Sequence, residues 1–138
     1  MDKKTYKVLD TSIVLKWFIH EDNSDKALVY LENYSRGEFA IIIPTLLFYE
    51  LGNALLYNKA LPKDIQEIMV RLQALYLETV NIGYDGFRKV FQKAKEYNIS
   101  FYDASYITLM QQKDCEFITA DKKLYEKVGK KLSGVTLL

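Results

Sequence analysis

Cysteine and histidine are the scarcest reactive residues of this 138-residue chain, which has one of each, Cys115 and His20. A single cysteine excludes an internal disulfide and a cysteine-based zinc cluster, and a single histidine excludes any site built on a histidine pair. One unpaired cysteine is typical of proteins from a reducing compartment, so we expect a cytoplasmic protein. His20 itself is expected on the surface, at the end of a helix.

Long hydrophobic runs are also missing. The longest apolar stretch, residues 39–49, contains Pro44 and is far shorter than the ~20 residues that a membrane helix needs. Near the N-terminus, Lys3 and Lys4 precede an apolar run that meets a charge at Asp10, too soon for the core of a secretory signal. We therefore expect a protein without a membrane partner.

The size and composition are those of an ordinary globular protein. A domain usually has about 100–200 residues, so residues 1–138 are expected to form a single domain. The net charge is +1, but residues 1–85 have a balance of −3 and residues 86–138 a balance of +4. A basic C-terminal half favours contact with a polyanion, although a solvated lysine face explains the same charge.

Short apolar runs alternate with helical patterns along the chain. Strands are predicted at residues 6–9, 40–43, 78–82, 116–119 and 135–138. Helices are predicted at residues 13–18, 24–34, 45–58, 62–77, 84–97, 103–112 and 121–128. This alternation is typical of an α/β domain with a mainly parallel sheet. Sites in such folds lie at the carboxyl edge of the sheet.

Two acidic residues stand at that edge. Asp10 follows the first predicted strand, and Asp121 follows the strand at residues 116–119, so both point toward one rim of the sheet. Each precedes a helix, and aspartate is among the best N-cap residues. Capping is therefore the simpler explanation for either residue when it is considered alone.

Two further acids lie on apolar faces of predicted helices. The residues one turn from Glu50 are Leu46, Leu47, Asn53 and Ala54. An ionised carboxylate on such a face costs several kcal/mol unless it is paired or bound to metal, on the order of its desolvation penalty. A long-range ion pair or a rim position is the alternative for Glu50. Asp103 begins its predicted helix, where capping is again possible, and its face continues with Tyr106, Ile107 and Met110.

Carboxylates clustered without histidine or cysteine form a hard oxygen site, which selects Mg²⁺ or Mn²⁺. Such a cation lowers the pKa of a bound water and neutralises charge on a phosphate. Ser12 and Thr119 are candidates to orient a carboxylate or a water, although hydroxyls in such places more commonly serve turns or caps. Five lysines provide either phosphate contacts or a solvated face: Lys122, Lys123, Lys127, Lys130 and Lys131.

Four motifs, taken in order, resemble the PIN domain family and, more narrowly, the VapC-type toxins of prokaryotic toxin–antitoxin pairs. They are LDTS followed by KWF, then YELGNAL, YDASY and ITADKKL. The resemblance implies a PIN-like three-layer α/β/α fold with a central, mainly parallel sheet. It also implies an Mg²⁺- or Mn²⁺-dependent endoribonuclease, usually a homodimer, that is blocked by an antitoxin protein.

The same resemblance implies the site residues. The acidic quartet that binds metal is Asp10, Glu50, Asp103 and Asp121, and the supporting hydroxyls belong to Ser12 and Thr119. We therefore predict a metal-dependent ribonuclease that cleaves RNA phosphodiesters, and expect the toxin of a toxin–antitoxin pair.

Two alternatives stay open, a PIN-domain nuclease of RNA processing and a non-catalytic RNA- or protein-binding module. A phosphatase of the haloacid dehalogenase type needs a second aspartate where Ser12 stands, and a P-loop enzyme needs a glycine-rich loop that this sequence lacks. The aromatic residues Phe48, Tyr49 and Tyr57 belong either to a dimer or antitoxin surface or to the core.

Overall fold

A parallel β-sheet forms the centre of the molecule in the computed structural model, which describes residues 4–58 and 65–138. The strands are β1 (Tyr6–Leu9), β2 (Ala40–Pro44), β3 (Glu78–Val80), β4 (Glu116–Thr119) and β5 (Val135–Leu137). The helices are α1 (Thr11–Phe18), α2 (Ser24–Ser35), α3 (Leu46–Tyr57), α4 (Ile65–Ala74), α5 (Tyr84–Tyr97), α6 (Phe101–Lys113) and α7 (Lys122–Val128).

Helices cover both faces of this sheet. Val8 and Leu9 are neighbours in β1 and have no exposed surface, and Ile41, Ile42 and Ile43 in β2 are equally buried. Successive side chains of a strand point to opposite faces, so their joint burial requires a layer of structure on each side. Helix α6 packs against β1, β2 and β4, while α1 packs against β1 and β4. The predicted α/β/α fold is confirmed.

The order of the strands changes direction at β1. The order is β3-β2-β1-β4-β5, and every neighbouring pair is parallel. The chain moves outward from β1 through β2 to β3 and then returns to the other side of β1 as β4. In open α/β sheets, ligands bind at the carboxyl ends of the strands where the order reverses in this way. Leu9 pairs with Ile118, so Asp10 and Thr119 come next to each other at that edge.

The predicted elements agree with the structure to within a few residues, with one difference that concerns the site. Helix α6 begins at Phe101, two residues before the predicted start at Asp103. Ser100 is its N-cap, because the Ser100 hydroxyl accepts a hydrogen bond from the backbone N–H of Asp103 at 3.0 Å. The capping explanation for Asp103 is therefore wrong.

Two smaller differences lie between α4 and α5. Helix α4 ends at Ala74 rather than at residue 77, because Tyr76 adopts a left-handed backbone conformation with φ of 50°. Strand β3 ends at Val80 rather than at Ile82. The predicted start of α4 at Pro62 lies outside the described residues.

Candidate active site

Asp10 lies at the carboxyl end of β1 and has an exposed fraction of 7%. Its Oδ1 atom accepts hydrogen bonds from the backbone N–H of Ser12 at 3.0 Å and from the Ser12 hydroxyl. Its Oδ2 atom accepts a bond from the Thr119 hydroxyl at 2.5 Å. Asp10 is thus the N-cap of α1, and the capping explanation is correct, but the cap uses only Oδ1.

The environment of Asp10 opposes its ionisation. The pKa of Asp10 is raised to about 6: burial is the main cause and the negative charge of Asp103 adds to it, while the hydroxyls of Ser12 and Thr119 lower it. These hydroxyls stabilise the charged form but do not compensate for the loss of water. The carboxylate is therefore held charged at neutral pH against an unfavourable electrostatic free energy.

The hydroxyls of Ser12 and Thr119 join the ends of the two central strands. The Thr119 side chain is completely buried, donates to Asp10 and accepts the backbone N–H of Asp121 at 3.0 Å. The Ser12 hydroxyl donates to Asp10 and accepts the backbone N–H of Ala120 at 2.9 Å. Both predicted hydroxyls therefore orient Asp10, and each also fixes the backbone that leads to Asp121.

Asp121 is exposed and caps the next helix. Its Oδ1 atom accepts the backbone N–H of Leu124 at 3.1 Å, which makes Asp121 the N-cap of α7. As with Asp10, the capping explanation is correct and involves one carboxylate oxygen. Capping and participation in a site are therefore compatible for both residues.

Asp103 is half-buried in the first turn of α6. Burial raises its pKa, and the charges of Asp121 and Glu50 raise it further, while its hydrogen bond with Ser100 and the charge of Lys127 lower it. Lys127 is held nearby, because its Nζ atom donates to the backbone carbonyl of residue 98 at 3.1 Å. Asp103 therefore lies where the fields of the other acids overlap.

The four predicted acids share one electrostatic neighbourhood. Asp103 acts on Asp10, and both Asp121 and Glu50 act on Asp103. Among residues 4–58 and 65–138, no lysine, arginine or histidine forms an ion pair with any of these four carboxylates. The four acids thus interact through their charges near the carboxyl edge of the sheet, and none of the described basic residues forms an ion pair with them.

Hydroxyl groups, not a cation, hold Glu50. Its Oε1 atom accepts hydrogen bonds from the Tyr106 hydroxyl at 2.6 Å and from Thr11 Oγ1 at 3.1 Å. The ion-pair alternative for Glu50 is wrong within the part of the chain that the structure describes. The pKa of Tyr106 is raised above its usual range, mainly by burial and secondly by the hydrogen bond to Glu50. This hydroxyl therefore stays protonated and acts as a donor.

Sequence reasoning missed Thr11 and Tyr106. Asp10, Thr11 and Ser12 are three consecutive residues of good N-cap types, so the sequence gives Thr11 no role of its own, and Tyr106 stands out only as a neighbour of Asp103 on the face of its helix. The available signal was the spacing: Tyr106 follows Asp103 by three residues, so its hydroxyl lies on the face of α6 that carries the acid.

A known protein family matches the sequence of this chain. The sequence model of the PIN domain family matches residues 7–131. The chain belongs to the PIN domain family. No curated protein matches the sequence of this PIN domain.

Solved structures share the fold of this PIN domain at low sequence identity. A toxin–antitoxin complex from Klebsiella pneumoniae is 20% identical, with a TM-score of 0.66 and coverage of 94% of this chain and 95% of that one. VapC20 of Mycobacterium tuberculosis, a toxin that cleaves the sarcin–ricin loop, is 13% identical, with a TM-score of 0.64 and coverages of 87% and 93%. PAE2754 of Pyrobaculum aerophilum is 22% identical, with a TM-score of 0.64 and coverages of 89% and 79%.

The acids of this PIN domain have the donor chemistry that a divalent cation needs, but their side chains are not arranged to coordinate one directly. Carboxylate oxygens are the donors that Mg²⁺ and Mn²⁺ prefer. In the described parts of the chain, however, no group of three or more His, Cys, Asp or Glu side chains could hold a metal ion as it stands. Binding through three of these acids therefore requires side-chain rotation or bridging water.

The other predicted contact residues of the PIN domain lie on its surface. All five C-terminal lysines are exposed, and Lys127 is the one whose charge acts on Asp103. Phe48, Tyr49 and Tyr57 have exposed fractions of 41%, 79% and 76%, so they are surface residues and the core alternative is wrong. None of the described helices is long and apolar enough to cross a membrane.

Proposed function

We propose that this PIN domain is a divalent-metal-dependent endoribonuclease. The observation that supports the proposal best is the charge interaction among four carboxylates near the switch point of the sheet. No described lysine, arginine or histidine forms an ion pair with any of them. A cluster of anions repels a phosphate backbone. It becomes a site for RNA only with a bound cation, and Mg²⁺ or Mn²⁺ is the cation that these oxygen donors favour.

Each acid has a distinct part in the proposal. Asp10 is the central ligand, with Asp103 and Asp121 beside it, and Glu50 positions the cation or its water. A bound cation supplies an activated water and neutralises charge on the phosphodiester. The protein holds Asp10 in a fixed orientation through the hydroxyls of Ser12 and Thr119, and cleavage leaves a 5′-phosphate on the product.

The decisive experiment combines metal binding with RNA cleavage. Mn²⁺ binding is measured by calorimetry, and cleavage of a mixed single-stranded RNA is measured in the same buffer, with and without EDTA. We expect the wild-type protein to cleave RNA only with metal. In Asp10→Asn the cleavage rate should fall by roughly 100-fold or more, because loss of a metal ligand costs more than the roughly 10–100-fold typical of a residue that only orients a ligand. Glu116→Gln is the control, since it neutralises a carboxylate at the other end of the same strand pair.

The outcomes separate the open alternatives. Absence of Mn²⁺ binding by the wild-type protein would reduce the acids to helix caps and hydrogen-bond partners and would leave an RNA- or protein-binding module. Metal binding without cleavage of mixed RNA would keep the site and indicate a narrow target. Cleavage that survives in both Asp10→Asn and Asp103→Asn would show that the site residues are wrong.

We also propose that the protein is the toxin of a toxin–antitoxin pair, acting as a homodimer with an antitoxin protein as its partner. Two relatives in fold are described as a toxin–antitoxin complex and as an RNA-loop-cleaving toxin. A groove of about 660 Å³ beside α3 and α4 is lined mostly by apolar side chains, among them Phe48, Met69 and Tyr76. Exposed apolar patches of this kind mark protein interfaces.

Expression in a bacterial host tests the toxin proposal. Induction of the wild-type protein and of Glu116→Gln should arrest growth, whereas Asp10→Asn should not. Sedimentation tests the dimer. Phe48→Ser combined with Met69→Ser, which changes two side chains that line the groove, should weaken it. Normal growth with active, metal-dependent protein in the cells would contradict the toxin role and favour a nuclease of RNA processing.

A further inference from the structure

A compact arrangement of two hydroxyl groups anchors the Glu50 carboxylate. The Tyr106 hydroxyl and Thr11 Oγ1 both bond to Oε1 of Glu50, at 2.6 and 3.1 Å, and the two hydroxyl oxygens are 3.2 Å apart. We infer that Thr11 and Tyr106 are positioning residues that fix the Glu50 carboxylate at the edge of the acidic cluster. The inference rests on the proposed nuclease function, because Glu50 needs a fixed position only if it serves a reaction.

Both hydroxyl groups of this arrangement donate to the same oxygen of Glu50. An ionised carboxylate only accepts hydrogen bonds, and each hydroxyl has a single proton to donate. Tyr106 and Thr11 each donate to Oε1 of Glu50, and their two hydroxyl oxygens are also within hydrogen-bond distance of each other, so the three side chains form a closed set of contacts. Anchoring one carboxylate oxygen in this way orients the other, Oε2, for a cation or a water.

Tyr106 is rigidly held for this purpose. Its side chain has an exposed fraction of 1%, and its ring stacks on Phe117 of β4 with centroids 5.8 Å apart and planes inclined by 5°. A buried tyrosine ring packed on the central sheet has little rotational freedom. The hydroxyl at its end therefore presents a fixed donor to Glu50.

Thr11 connects this anchor to the central acid. Three consecutive residues at the start of α1 make three different long-range bonds: Asp10 accepts from Thr119, Thr11 donates to Glu50, and Ser12 accepts from Ala120. The first turn of α1 thus joins the end of β4 to helix α3. Loss of the Thr11 hydroxyl removes its hydrogen bond to Glu50, which links this turn to α3.

The inference is tested with Tyr106→Phe and Thr11→Val, which remove each hydroxyl while keeping the shape of the side chain. Removal of a residue that orients a metal-site carboxylate typically lowers affinity or activity by roughly 10–100-fold. We expect kcat for RNA cleavage to fall by about this factor with KM nearly unchanged, and Mn²⁺ affinity measured without RNA to fall as well. Thr11→Ser, which keeps the hydroxyl, should have kcat and Mn²⁺ affinity close to those of the wild-type protein.

Two matched controls remove similar hydrogen bonds far from the acids. Tyr34→Phe removes a tyrosine hydroxyl that donates to the backbone carbonyl of Leu75 at 2.5 Å, and Thr136→Val removes a threonine hydroxyl that donates to Glu116 at 2.6 Å. Both should leave kcat and Mn²⁺ affinity unchanged. A loss in the controls equal to that in Tyr106→Phe would overturn the inference, because it would reveal a general structural effect.

A double-mutant cycle decides whether Tyr106 acts through Glu50. In the Glu50→Ala background, Tyr106→Phe should cause no further loss of kcat, because the group that it positions is absent. An equal loss in both backgrounds would overturn the inference. Full activity of Tyr106→Phe and Thr11→Val alongside an inactive Asp10→Asn would also overturn it while the proposed function stands. Absence of metal-dependent cleavage in the wild-type protein would instead remove the proposed function itself.

Discussion

The two ends of the β1–β4 strand pair each have a carboxylate, but the surroundings of the two carboxylates differ. At the amino end, Glu116 accepts bonds from Lys7 Nζ and from the Thr136 hydroxyl, at 2.5 and 2.6 Å. At the carboxyl end, Asp10 accepts bonds from the hydroxyls of Ser12 and Thr119. The two acids have similar neutral donors, but Asp10 is more deeply buried and, among the described residues, only Glu116 also has a cation.

The pKa values show the consequence of that difference. Partial burial by itself raises the pKa of Glu116, but the hydrogen bonds from Lys7 and Thr136 and the charge of Lys7 bring it below its usual value. The pKa of Asp10 is raised to about 6, chiefly by burial, and its hydroxyl partners do not reverse that effect. At Asp10 the neutral donors do not compensate for burial, so a bound cation should stabilise a carboxylate more at the carboxyl end than at the amino end, where Lys7 already supplies the charge.

The largest expected effect concerns stability without metal. Asp10→Asn should stabilise the protein at pH 7.5 in EDTA by up to roughly 3 kcal/mol, since the pKa of Asp10 lies at about 6 against an ordinary 3.8. Asparagine remains a good N-cap, so the cap of α1 is kept. Urea unfolding of both proteins measures the difference.

The sign of this effect follows from the raised pKa of Asp10. Below about pH 3.8 the carboxyl group is protonated in both the folded and the unfolded state, and the difference between the two proteins should vanish. As the pH rises from about 3.8 to about 6, the unfolded chain releases the Asp10 proton before the folded protein does, so the wild-type protein loses stability relative to Asp10→Asn. Above about pH 6 the difference stays constant. A lower stability of Asp10→Asn at pH 7.5, or a difference that does not change with pH, would contradict the electrostatic comparison.

A smaller effect is expected when a cation is supplied. Mn²⁺ at ten times its Kd should stabilise the wild-type protein by about 1.4 kcal/mol, because a ligand that binds only the folded state shifts the unfolding equilibrium. Glu116→Gln should gain the same amount and Asp10→Asn much less, as measured by thermal unfolding. Equal stabilisation of all three proteins would place the cation away from the carboxyl end.

The smallest effect is expected from removing the cation at the amino end. Lys7→Met should lower the free energy of unfolding by roughly 1 kcal/mol, the upper range for a partly exposed ion pair. Glu116 keeps its bond from Thr136 and remains partly accessible to water, which limits the loss. Urea unfolding at pH 7.5 measures this change, and RNA cleavage should be unaffected. A loss of cleavage would show that the two ends are coupled.

The chain's local features were predictable to a useful extent. Apolar runs and their polar ends place the strands and helices within a few residues, because such patterns depend on neighbouring residues only. The acid at the end of β1 and the acid after β4 follow from the same patterns. The capping role of Ser100 was missed because serine, phenylalanine and tyrosine before Asp103 also suit a loop.

The partners of the acids were not predictable from such patterns. Each acid had two explanations in the sequence, and the structure shows that capping is correct for Asp10 and Asp121 and wrong for Asp103. For Glu50, the sequence offered an ion pair, and the structure has hydroxyl donors instead. A choice among donors depends on which elements pack together, and that information is spread over the whole chain.

By itself, the sequence determined the α/β alternation, the carboxylates at the strand ends and the exclusion of histidine- and cysteine-based chemistry, because these depend on residue types and short-range periodicity. Only the tertiary structure decided that Tyr106 bonds to Glu50 across 56 residues and Thr119 to Asp10 across 109. The order and register of the strands set those contacts, and they follow from packing one shared core rather than from any single segment.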